Sequence, residues 1–198
     1  MKKMIFATGN KNKLIEIREI MADTDYEIIS MKEAGVDIDI VEDGSTFEEN
    51  ALIKARAIAK ETGCLTLSDD SGLVIDYING EPGIYSARYM GEDTSYDIKN
   101  AELIRRLEKA EGYERAARFV CACAAVFPDG TEKVVTATME GEIAYKIAGE
   151  NGFGYDPILY LPEYGCNSAE LSLEEKNRIS HRGKALRLMR DVLKEMDY

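Results

Sequence analysis

The sequence predicts an α/β fold built on a mixed sheet, and three observations carry that prediction. Short apolar runs alternate along the chain with segments whose apolar residues recur every three or four positions, which is the pattern of interleaved strands and amphipathic helices. Pro128-Asp129-Gly130 separates two long apolar runs, a hairpin signal that makes part of the sheet antiparallel. The chain has 198 residues, 45% of them hydrophobic. A chain of that size forms one domain, or two lobes around one sheet, and buries roughly 70% of its unfolded surface without a covalent staple.

In chain order, Met4–Ala7 reads as a strand closed by Gly9-Asn10. A helix follows, with Leu14, Ile17 and Met21 at helical spacing and Ile20 beside them. Tyr26–Ser30 and Val36–Val41 read as further strands, the second running into the acidic turn Glu42-Asp43-Gly44. Thr46 with Glu49 three positions on is a capping box for an Ala-rich helix. That helix places Leu52, Ala55, Ile58 and Ala59 on one side. Leu65–Leu67 runs into Ser68-Asp69-Asp70-Ser71-Gly72, and Leu73–Ile78 continues as a strand to the turn Asn79-Gly80. Thr94 or Ser95 starts a helix with Ile98, Ile104 and Leu107 inward. Arg118–Phe127 and Glu132–Met139 are the arms of the hairpin, and Ile143–Ile147 reads as an added strand. The Gly-rich segment 149–154 precedes a strand at Ile158–Leu161, a helix near Ser168–Ser180, and a last helix carrying Leu186, Met189, Leu193 and Met196.

Composition excludes several classes. A formal net charge of −12 disfavours tracking a nucleic-acid backbone, which needs an extended basic face. The opening apolar stretch is shorter than a signal sequence requires, and no run approaches a membrane span, so a cytoplasmic protein is expected. Four cysteines (Cys64, Cys121, Cys123, Cys166) are too few and scattered for a disulfide framework and read as buried thiols. The charge is also uneven. Residues 23–50 hold ten acids against Lys32, whereas residues 176–190 hold six bases and no acid, and residues 1–18 hold five bases against Glu16. Two basic ends folded around an acidic middle suit a metal–polyphosphate site, although solvated helix faces have the same composition.

Four segments carry chemistry. Thr8-Gly9-Asn10-Lys11-Asn12-Lys13 lies between a strand and a helix start, where backbone N–H groups and the helix dipole favour an anion. It matches neither the Walker A nor the dinucleotide-binding pattern, so an ordinary capped turn stays open. Asp69 and Asp70 are adjacent carboxylates whose repulsion calls for a cation, and Mg²⁺ is the common answer. Such a pair supports attack of water on phosphorus, with one carboxylate gripping the ion or taking the proton. A solvated turn is the alternative, and Glu42 or Asp43 is the natural further ligand. Gly152-Phe153-Gly154-Tyr155-Asp156-Pro157 sets two aromatics among glycines, suited to a flat base against the backbone. His181, beside Arg182 and Lys184 at a helix start, is a candidate donor to an anion or a carbonyl oxygen.

Together the motifs TGNKNK at 8–13, EDGSTFEENALIKA at 42–55, SDDSGL at 68–73, PGIYSARY at 82–89, GFGYDP at 152–157 and EEKNRISHRGKAL at 174–186 resemble the inosine triphosphate pyrophosphatase family. That family hydrolyses non-standard purine nucleoside triphosphates to the monophosphate and pyrophosphate. The resemblance covers nearly the whole chain as a single domain, 1–198, and implies an elongated mixed sheet with flanking helices, two lobes around a cleft, and a homodimer.

Residue by residue, the resemblance implies that Thr8, Gly9, Asn10, Lys11, Asn12 and Lys13 bind substrate, with Lys13 and Lys54 on the phosphates. Glu42 and Asp70 would hold Mg²⁺, Asp70 would also accept the proton of the attacking water, Asp69 would support it, and Ser71 would contact substrate. Phe153, Gly154, Tyr155, Asp156, Lys176, His181 and Arg182 would form the base pocket. A pyrophosphatase for pyrimidine or modified nucleotides, or a nucleotide-binding module without turnover, is the competing reading.

Overall fold

The structure is a computed structural model that describes residues 2–196. Its elements are β1 (Lys2–Phe6), α1 (Lys11–Ile20), β2 (Tyr26–Ser30), α2 (Phe47–Thr62), β3 (Leu65–Ile75), α3 (Tyr96–Arg106), β4 (Ala116–Val126), β5 (Glu132–Ile143), β6 (Leu159–Leu161), β7 (Cys166–Asn167), α4 (Leu173–Ile179) and α5 (His181–Glu195). The strands form one sheet in the order β2-β1-β3-β4-β5-β6-β7. Met4 of β1 lies opposite Ile28 on one side and Leu65 on the other, both in parallel register, whereas β5, β6 and β7 pair antiparallel. The predicted mixed sheet is therefore present. Among the described residues no helix is long and apolar enough to cross a membrane.

The chain divides into two compact units. The first comprises residues 2–70, 121–137 and 182–196 of the described chain. β1 and β4 are apolar on both faces here, and the two-residue period separates two cores. Met4, Phe6, Leu65, Leu67, Cys121 and Cys123 pack with Ile17 and Met21 of α1 and with Leu186 and Met189 of α5. On the opposite face, Ala122, Ala124 and Val126 of β4 meet Ala51, Ala55 and Ala59 of α2, the small residues letting helix and sheet approach closely. The second unit, residues 71–120 and 138–181, is built around Leu73, Ile75, Leu103, Leu107, Phe119, Ile158 and Leu159. Within it the buried Arg115 guanidinium donates to the carbonyls of Leu107, Ala110, Ile143 and Ala144.

Several expectations need correction. Residues 36–44 form no strand; Val36, Ile38 and Ile40 alternate because they pack on Ile5, Ala7 and Ile58, with no partner strand for their backbone. Ser68–Gly72 is no turn but the interior of the continuous strand β3, which ends at Ile75 rather than Ile78. Residues 144–147 continue no strand. Ile98 is 56% exposed, and Leu103 takes the inward position on α3. Thr46 caps α2 by accepting from Glu49 N, and the Glu49 carboxylate takes its shortest bonds from Ser45 N and Oγ. None of the four cysteines is in a disulfide; Cys121 and Cys123 are buried, and Cys64 and Cys166 are partly exposed.

Candidate active site

The turn after β1 and the acids of β3 come together within the first unit. Asn10 caps α1, its Oδ1 accepting from Asn12 N and Lys13 N, while Thr8 Oγ1 accepts from Asn10 N. The helix therefore begins with an ordered N-terminal turn whose Gly9, Lys11 and Asn12 are exposed. Lys13, one turn further along, places Nζ 2.9 Å from Asp69 Oδ2. Asp69 itself is fully buried beneath this turn. It also receives Arg182 Nε at 3.1 Å, and Arg182 Nη1 reaches Glu16 Oε2 at 2.7 Å. Burial works against the Asp69 charge, yet Lys13, Arg182 and Lys54 together hold its carboxyl below the ordinary range. Arg182 thus serves as the counter-ion of two buried carboxylates.

Asp70 points the other way. Lys54, on α2, lies with Nζ 2.7 Å from Glu42 Oε2 and 3.7 Å from Asp70 Oδ1. Burial raises the Asp70 carboxyl above its usual value; Lys54 opposes this, but Glu42 adds repulsion in the same direction. Asp70 Oδ2 is buried and has no hydrogen-bond partner. Asn50, one turn before Lys54 on α2, accepts from Gly44 N at 2.9 Å and donates toward Asp70, so a single amide connects the Glu42 loop to β3. Gly44 has no room for a side chain, since a Cβ there would stand 2.7 Å from Asn50 Oδ1. Neither Asn50 nor Glu16 was singled out from the sequence. Their signal was helical spacing, Asn50 four residues before Lys54 and Glu16 three after Lys13.

The aromatic loop lies in the second unit. Asp156, 2% exposed, accepts from Phe153 N at 2.9 Å and Ser168 Oγ at 2.9 Å, and pairs with Lys176 Nζ at 2.5 Å. The Lys176 ammonium stands 4.9 Å from the centre of the half-buried Phe153 ring. Asp156 is therefore engaged in shaping this loop rather than left open for a ligand's N–H group. Gly152 and Gly154 both have positive φ, and a Cβ on Gly152 would strike the Asp156 carboxylate. Tyr155 is buried, its hydroxyl donating to Ser86 O at 2.7 Å. His181 stacks on Phe119 at 4.8 Å between ring centres. Ser71 is half-buried on β3.

The model of the Ham1 family matches residues 4–192. The chain belongs to the Ham1 family. A dITP/XTP pyrophosphatase of Clostridium perfringens is 46% identical over 200 residues, covering 98% of both chains. The Ham1 proteins of Staphylococcus aureus and Coxiella burnetii have solved structures with TM-scores of 0.90 and 0.91 to this chain. Each is 42% identical, over 98% of this chain and the whole of theirs. The family expected from the six motifs, and its α/β fold, are thereby borne out.

Whether these Ham1 residues fit a divalent ion is decided by the donor set. Among the described residues no cage of three or more His, Cys, Asp or Glu side chains is present. Mg²⁺ needs none, because it is commonly held by one or two carboxylates, with water and phosphate oxygens completing its shell. Glu42 and Asp70 already share one cation, the Lys54 ammonium, and Asp70 Oδ2 has a lone-pair face unused. The pair fits the ion.

Proposed function

We propose that this protein hydrolyses non-standard purine nucleoside triphosphates of the dITP and XTP kind to the monophosphate and pyrophosphate, using Mg²⁺. The observation that carries the reading is the Glu42–Lys54–Asp70 cluster, in which a buried carboxylate oxygen without a hydrogen-bond partner accompanies a lysine ammonium, in the same unit as Lys13 and a capped helix start. A site built only to bind a polyanion would gain nothing from paired carboxylates. The activity named for the Clostridium perfringens relative supports the same reading.

Glu42 and Asp70 would hold Mg²⁺, which when bound supplies charge neutralisation and polarises phosphoryl oxygens. Asp70, with its raised proton affinity, is suited to accept the proton of the attacking water. Thr8 to Lys13 would cradle the phosphates at the start of α1, with Lys13 and Lys54 neutralising the charge that develops on the departing pyrophosphate. Asp69, ion-paired on the other face of β3, holds Lys13 and Arg182 in place, and Ser71 follows on the same strand.

On the base side, Phe153 offers a stacking ring and Lys176 and His181 polar contacts. Hypoxanthine and xanthine carry an oxo group where adenine has an amino group, and donors set for that oxygen would be left unpaired by adenine. Sites of this kind reject the wrong partner by a factor on the order of 10⁴. The family resemblance implies a homodimer, and the lack of a signal-length or membrane-length apolar run in the sequence is the ground for placing it in the cytoplasm. The test is a panel of dITP, XTP, ATP, UTP and dTTP with Mg²⁺, scored for pyrophosphate and orthophosphate. Pyrophosphate from dITP and XTP is expected; ATP turned over equally well, or orthophosphate as the product, would sink the reading.

A further inference from the structure

Asn100 takes no part in the reaction described, yet it is among the most deeply buried polar residues, at 1% exposure. It lies on α3, in the second unit, and its Nδ2 donates to the carbonyl of Gly154 at 3.1 Å. Its Oδ1 is buried with no hydrogen-bond partner. Its neighbours on the helix bear on the same region. The Tyr96 ring meets Tyr155 edge-on at 5.1 Å, and Lys99, also 1% exposed, donates to Ala87 O at 2.8 Å beneath the Tyr96 ring.

A half-satisfied buried amide is a poor device for stability, because the unpaired carbonyl carries its full desolvation cost. What the amide accomplishes is local. Gly152 and Gly154 give the loop backbone wide freedom, and that freedom must be removed before Phe153 can present a fixed ring. Asp156 ties Phe153 from within the loop, its carboxylate accepting from Phe153 N and its own N–H donating to Phe153 O at 3.3 Å. Asn100 ties the next residue from outside it.

We propose that Asn100 is a positioning residue for base recognition: by holding the Gly154 carbonyl it preorganises the Phe153 ring for stacking on the purine. The inference rests on the base pocket assigned under the proposed function. Preorganisation acts on affinity for the base, so removal of the tie raises KM and leaves the phosphate chemistry alone.

The chain contains no tryptophan, so Phe153→Trp is a single fluorescent reporter of the loop. In that background, Asn100→Leu is expected to raise acrylamide quenching of the introduced indole about two-fold in the ligand-free protein, as a loop released from a tie becomes more mobile. With Phe153 in place, Asn100→Leu should raise KM for dITP about ten-fold, the equivalent of one hydrogen bond, with kcat within about two-fold. The inhibition constant of pyrophosphate should not change. Asn100→Asp, which keeps the shape but turns an acceptor toward Gly154 O, should do the same and decides the matter alone if the leucine variant does not fold. Unchanged quenching and KM would overturn the proposal, as would a pyrophosphate inhibition constant that rises in step with KM. If the parent protein fails to turn over dITP, the proposed function falls, while the quenching comparison still decides the role of Asn100.

Discussion

Asp69 and Asp70 are chain neighbours that face opposite sides of β3. Asp69 shares a face with Leu65 and Leu67 and meets Lys13 of α1 and Arg182 of α5; Asp70 shares the other with Ser68, whose hydroxyl bonds Ala51 O of α2, and meets Lys54. The strand's alternation thus relieves the repulsion that adjacency suggests. It also divides the labour: one carboxylate is held ionised between permanent cations, and the other has a raised proton affinity.

Asp70→Asn is expected to lower kcat by about 10²–10⁴-fold, the range for loss of a proton acceptor. Its melting temperature should hold or rise, because the substitution removes a desolvated charge beside Glu42. Steady-state kinetics and a melting curve on the same preparation check both; near-normal turnover removes Asp70 from the reaction.

Asp69→Asn should behave in the opposite sense. It removes the charge that the buried Arg182 and Lys13 share, so stability falls by about 3–5 kcal/mol, the usual cost of stranding one member of a buried pair. Urea unfolding at neutral pH measures it, and a loss below about 1 kcal/mol would show the network to be ornamental to the fold.

Much of this architecture was legible in the sequence where the signals are local. The β1–turn–α1 unit and the Pro128-Asp129-Gly130 hairpin were read correctly because turn chemistry and periodicity agree there. Ser, Asp and Gly are turn formers, so Ser68–Gly72 carries a turn signal by itself; it lies inside a strand where α1, α2 and α5 supply partners for Ser68, Asp69 and Asp70, which no local window contains. The residues of the site were legible as motifs, whereas their pairing was not. Arg182 and Asp69 are separated by 113 positions, and Arg182 and Glu16 by 166. The alternation of Val36, Ile38 and Ile40 reported burial truly and pairing falsely, since burial alone sets the pattern.

Glu33 gives a pH test. Its carboxylate accepts from Ser30 N, Ser30 Oγ and Arg18, which lowers its pKa from 4.5 to about 2, the Ser30 backbone N–H contributing most. A carboxyl whose folded pKa is depressed stabilises the protein above its unfolded pKa, and that contribution is lost as pH falls through the folded one. Glu33→Gln should therefore lower the urea midpoint at pH 7, and the gap to the parent should close between about pH 4.5 and pH 2. A gap that persists at the acid end would assign the effect to something other than this charge.

Gly44→Ala tests how the loop proposed to carry a metal ligand is held. The new Cβ would come within 2.7 Å of Asn50 Oδ1 and 2.8 Å of Glu49 Cβ, both on the first turns of α2, where the helix backbone leaves little room to yield. The loop must move outward, which breaks the bond from Gly44 N to Asn50 Oδ1 and draws Glu42 away from Lys54 and Asp70. Since α2 is pinned by its own cap and its alanine face, the displacement falls on the loop, so the melting temperature changes little. The Mg²⁺ concentration for half-maximal activity should rise about ten-fold, since misplacing one carboxylate of a two-carboxylate site removes an interaction of about 1.4 kcal/mol or more. Turnover at saturating Mg²⁺ should recover most of the parent value, because Asp70 stays on its rigid strand. An unchanged Mg²⁺ requirement would show that Glu42 does not hold the ion.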